Sequence, residues 1–105
     1  MFEFTEDLIL YLTKYLNISD YRKIILLNKK TSNILYKYEN YVWNNIINGT
    51  QNCKITKRRN YYNIEIIQNI DQQDSIKKKY CFTFPDKMNI KKNFQRFCNN
   101  NNLIL

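Results

Sequence analysis

The chain has 105 residues, a formal net charge of +8, no histidine, one glycine and one proline. That length suits one domain, or a small module carrying an extension. The composition excludes a Cys/His zinc centre, a histidine general base and a glycine-rich phosphate loop.

The first element opens at Thr5, an N-cap residue followed by Glu6 and Asp7, whose charges suit the positive end of a helix dipole. Leu8, Ile9, Leu12, Tyr15 and Leu16 recur at helical spacing, so a helix is expected to run to about Asn17, with Leu10 off its stripe. A second helix is expected over 20–29, with Ser19 as cap and Tyr21, Ile24 and Ile25 on one side. Leu26 and Leu27 lengthen the apolar run to four residues and leave this helix no clean polar side, which calls for cover all round. Thr31 and Ser32 offer caps for a third helix carrying Ile34, Leu35 and Tyr38. Tyr41, Val42, Trp43, Ile46 and Ile47 continue into a fourth, and Gly49 stands where a left-handed C-terminal cap is wanted. A segment this short cannot bury so many large side chains alone, so part of its surface is expected to belong to a partner.

Phe4-Thr5, the acidic pair Glu6-Asp7, the aliphatic run 8–12, Tyr15-Leu16, Asp20-Tyr21, Leu26-Leu27-Asn28-Lys29 and finally Trp43 follow one another in an order that resembles the F-box family. The resemblance covers residues 4–47, under half of the chain. It departs from the family pattern at Thr5, where a proline is usual, and at Thr31, where a tryptophan is common. The resemblance implies a non-enzymatic substrate receptor that docks on the adaptor subunit of a cullin-RING ubiquitin ligase and brings an unidentified target protein for ubiquitination. Such a receptor acts by proximity, raising the effective concentration of the target's lysines near the charged conjugating enzyme. Its implied partner contacts are Phe4, Thr5, Leu8, Ile9, Leu12, Leu16, Leu27 and Trp43. The competing reading is that these residues form the internal core of a helical domain.

The second half differs in charge. Residues 1–50 hold six Lys/Arg against five Asp/Glu, +1, whereas residues 51–105 hold eleven against four, +7. Residues 50–60 read as a basic connection. Lys57, Arg58 and Arg59 followed by Tyr61 and Tyr62 join cations to aromatics, a combination that grips single-stranded nucleic acid or an acidic target. A small basic nucleic-acid-binding protein is therefore the alternative function, and a solvated Lys-rich loop the plainer account. Residues 61–70 fit a helix through Tyr62, Ile66 and Ile70 and a strand through Ile64 and Ile66; the helix is the expectation. Residues 71–75 are a polar break. Tyr80, Phe82 and Phe84 alternate as a strand that Pro85 ends, and Asp86 is expected to cap a last helix bearing Ile90, Phe94, Phe97 and Cys98. Residues 99–105 form an Asn-rich tail.

The fold expected is mainly α: a three- to four-helix F-box-like module over 1–49, a connection over 50–60, then a short basic α(+β) extension, helix–strand–helix over 61–98. Cys53, Cys81 and Cys98 are odd in number and lack paired spacing, so they read as free thiols of a reducing compartment, with no metal and no cofactor. Acidic Glu3, Glu6 and Asp7 argue against a secretory leader, and no apolar run reaches the ~20 residues of a membrane span. A cytoplasmic or nuclear protein is expected, in a host cell if the small size and skewed composition reflect a viral source. Glu6 and Asp7 are neighbours, about 100° apart on a helix, and do not make a catalytic carboxylate pair.

Overall fold

The structure is a computed structural model that describes residues 5–69 and 76–105. Its elements in chain order are α1 (Glu6–Leu12), a 3-10 turn (Thr13–Tyr15), α2 (Ile18–Leu27), α3 (Lys29–Lys37), α4 (Glu39–Gly49), β1 (Cys53–Lys57), β2 (Tyr61–Asn69), β3 (Lys77–Pro85) and α5 (Ile90–Asn100). Among the described residues, 54% are helical and 24% lie in strands. The chain is therefore mixed α/β, and the expectation of a mainly α fold is overturned by a three-stranded antiparallel sheet in the order β1-β2-β3. It divides into two units, Met1–Thr50 with Leu105, and Gln51–Ile104.

In the first unit the helix starts are set by asparagines. The Asn17 side chain accepts from the Asp20 amide at 2.7 Å, and the Asp20 carboxylate accepts in return from the Asn17 amide, a reciprocal capping box. Asn28 ends α2 and caps α3 by accepting from the Thr31 amide. Neither Ser19 nor Thr31 and Ser32 serves as the expected cap, because a side chain two to four positions upstream already takes the first free amides. α1 stops at Leu12, where Thr13 begins the 3-10 turn. Ile18, Tyr21, Leu35, Val42, Trp43, Ile46 and Ile47 form the core, with Tyr21 edge-to-face on Trp43 at 5.3 Å between ring centroids. Burial pushes the Tyr21 phenol above its ordinary value, against an opposing pull from the Trp43 indole. Thr50 ties the ends of the unit together: its hydroxyl accepts from the Ile18 amide at 3.0 Å and donates to the Ile46 carbonyl at 2.7 Å.

In the second unit, the register Cys53↔Ile66, Ile55↔Ile64, Ile64↔Phe82 and Tyr62↔Phe84 places these inward residues on one face of the sheet. Of residues 50–60, expected as an irregular basic connection, 53–57 are β1, and residues 61–69, expected as a helix, are β2. α5 packs on the apolar face, where the Phe97 ring stacks on Phe82 at 3.9 Å and 16° and meets Tyr80 edge-on at 6.4 Å. Its cap is Asn89, accepting from the Lys92 amide at 2.9 Å, rather than Asp86. The helix ends in a Schellman pattern: Asn102 takes φ 56° and the Leu103 amide donates to the Cys98 carbonyl at 2.8 Å, burying Leu103. The Asn-rich end is thus ordered by a residue that tolerates a left-handed backbone. Phe4, Ile70 and the polar break at 71–75 lie outside the described residues.

Candidate functional site

α1 carries Leu8, Ile9, Leu10 and Leu12 and buries none of them. The helix is held by its ends. Thr5 accepts from the Leu8 amide at its start. At its finish the Thr13 hydroxyl donates to the Leu10 carbonyl at 2.6 Å and accepts from Asn45 Nδ2 on α4 at 2.9 Å. Thr13 is itself 1% exposed, and of these bonds the one from Asn45 ties the end of α1 to another helix, while Ile9 and Leu10 are half-buried. Between α1, the 3-10 turn, α2 and α3 lies an apolar pocket of about 360 Å3, lined by Ile9, Leu12, Thr13, Tyr15, Leu16, Ile24, Thr31 and Leu35. A dry cavity of about 150 Å3 already accepts benzene; this one has room for a large side chain of another molecule. The end of α2 adds two of the most exposed aliphatic residues, Leu26 at 85% and Leu27 at 81%.

The residues anticipated from the sequence fall into three groups. Ile9, Leu12 and Leu16 meet around the pocket, with Leu8 exposed on the same helix as the first two. Leu27 is exposed at the end of α2, and Thr5 is exposed and occupied as a cap. Trp43, by contrast, is 2% exposed and belongs to the core of the first unit, so it offers no surface to a partner. Thr13, Tyr15, Ile24, Thr31 and Leu35 line the pocket without being among the expected contacts. Tyr15, Ile24 and Leu35 stand in the apolar stripes and Thr31 at a departure from the F-box pattern, whereas Thr13 carries no sequence signal, because it lines the pocket through the turn around it.

The basic group lies in the second unit. Lys57 closes β1, Arg58 and Arg59 lie in the turn before β2, and all three are exposed. The Arg58 amide donates to the Tyr61 carbonyl at 2.8 Å and closes this turn. Tyr61 is half open to solvent, whereas Tyr62 is on the opposite face with its ring 5.6 Å from that of Phe84. Lys57 pairs with Tyr62 and shares its face, so the turn sets only Arg58 and Arg59 beside Tyr61.

Cys53 and Cys98 are buried and Cys81 is exposed. Burial, reinforced by the nearby Cys98, pushes the Cys53 thiol up to about 11, which makes it a poor nucleophile at neutral pH. Among the described residues no group of three His, Cys, Asp or Glu side chains is placed to hold a metal ion, and no helix is long and apolar enough to cross a membrane. Comparison of the chain with protein-family models, with curated proteins and with solved structures finds no match.

Proposed function

We propose that residues 5–50 are an F-box-type docking module, and that the chain is a non-enzymatic receptor joining a target protein to the adaptor subunit of a cullin-RING ubiquitin ligase. One observation carries the reading: α1 holds four aliphatic residues and buries none. Together with the apolar pocket beside it, this helix presents the kind of aliphatic anchors and cavity around which an interface concentrates its energy. The ordered resemblance of residues 4–47 to the F-box family, from Phe4 to Trp43, suggests the kind of partner. Trp43 enters the proposal as a core residue and not as a contact.

A pull-down of the tagged full chain from eukaryotic lysate, probed for adaptor and cullin, tests this. Both are expected with the wild type, and both are expected to be lost from the Leu8→Asp/Leu12→Asp double variant. Because those side chains are 39% and 41% exposed and outside the core, the variant should stay folded, with its thermal transition lowered by only a few degrees. Equal recovery of adaptor by the two proteins would refute the assignment.

A further inference from the structure

The sheet of the second unit has a face that α5 does not use. Alternation places Lys54 and Thr56 of β1, Asn63 and Glu65 of β2, and Lys79 and Thr83 of β3 on it. Lys54, Lys79 and Thr83 are exposed and the other three are half-buried. The only carboxylate in this set, Glu65, is already met by Lys79 Nζ at 3.4 Å. Lys54, Arg58 and Arg59 have no carboxylate partner among the described residues. From Lys54 to Arg58 the extended chain covers about 13 Å, so the cations flank a row of neutral hydrogen-bonding groups, Thr56, Asn63 and Thr83. Tyr61 closes the row at the turn, 42% exposed.

We propose that this face of the sheet and the 58–60 turn bind single-stranded nucleic acid, with phosphates on Lys54, Arg58, Arg59 and Lys79 and one base stacked on Tyr61. The charge of residues 51–105, +7, supplies complementarity to a polyanion. An acidic protein segment would satisfy the cations but would leave the exposed ring without a flat partner. A base satisfies both, and stacking on an aromatic is tolerant of base identity. The binding concerns residues 51–104 alone, and stands whether or not 5–50 docks on an adaptor.

Fluorescence anisotropy with labelled oligothymidylate and oligouridylate of about 15 nucleotides tests the assignment on the full chain. Saturable binding is expected at about 50 mM salt, with a slope of log K against log salt near −3 for four neutralised phosphates. Lys54→Gln/Arg58→Gln/Arg59→Gln should weaken binding more than tenfold and reduce the slope by about 2. Lys91→Gln/Lys92→Gln/Arg96→Gln removes the same charge from α5, on the other side of the sheet, and should weaken it far less. Tyr61→Leu should lower affinity severalfold and leave the slope unchanged. Amide shifts on adding the oligomer should concentrate at Lys54, Thr56, Asn63 and Thr83. The proposal is overturned by no binding at low salt, by equal losses in the two triple variants, by an unaffected Tyr61→Leu variant, or by an oligoglutamate of equal length that competes as well as the oligonucleotide.

Discussion

Gly49 is the one glycine, and its position is explained by a neighbour rather than by its own backbone. It takes no positive φ and remains the last residue of α4. A Cβ built there would overlap the Leu16 carbonyl oxygen and lie 3.0 Å from the carbonyl carbon. The left-handed positions of the described chain are filled by Asn52 and Asn102 instead. Helix propensity alone would favour Gly49→Ala by about 1 kcal/mol. The overlap is with backbone, which cannot swing aside, so a net loss of about 1–3 kcal/mol is expected by urea denaturation; a more stable variant would contradict the close approach. Cys53 provides a second test at this scale. Its folded thiol is raised from 9.0 to about 11, so its contribution to stability is complete below pH 9 and is lost as pH rises toward 11, where the unfolded thiol is ionised. The urea midpoint should fall across that window, and fall less in Cys53→Ala. At pH 8, Cys81 should react with a thiol reagent in the folded protein, and Cys53 and Cys98 only after unfolding.

At the level of elements, the helices of residues 5–50 were legible and much of the sheet was not. The helix stripes of α2 and α4 are long enough to declare themselves, and the starts of α2 and α3 moved to asparagine caps, a role that Ser and Thr are chemically able to fill as well. β3 was visible from Tyr80, Phe82 and Phe84, which alternate without interruption. β2 was not, because Tyr62 and Ile66 also satisfy a spacing of four. What selects the strand is its pairing on both sides, with Ile64 facing Ile55 and Phe82, and a single sequence does not display pairing. β1 was hidden by its lysines, while Cys53 and Ile55 point inward. A strand and a helix make opposite demands on adjacent residues here. Ile66 is fully buried and Ile67 is exposed. Ile66→Lys is expected to cost about 4 kcal/mol or more and Ile67→Lys about 0.5 kcal/mol or less, read by thermal or urea unfolding; similar costs would contradict the strand.

For the whole molecule, the division into two units follows the division of charge. The first unit is near neutral and leaves aliphatic side chains uncovered; the second is strongly basic and packs its aromatics against α5. The pocket-lining residues of the first unit were partly legible, since Ile9, Leu12 and Leu16 share a helical stripe and an order with the F-box pattern. Trp43 is open to either reading in the sequence, because a large aromatic serves core and interface equally well; in the structure it is buried. Replacing Leu8 and Leu12 by aspartate should cost binding more than stability, since docking would bury the remaining two-fifths of each leucine, roughly 1 kcal/mol apiece, and would bury a charge in its place at a cost of several more. Calorimetric titration of purified adaptor into the full chain measures this most directly. The wild type is expected to bind saturably, and Leu8→Asp/Leu12→Asp to lose at least about a hundredfold in affinity while staying folded; no heat of binding from the wild type, or the same affinity in the variant, would contradict the docking role of α1.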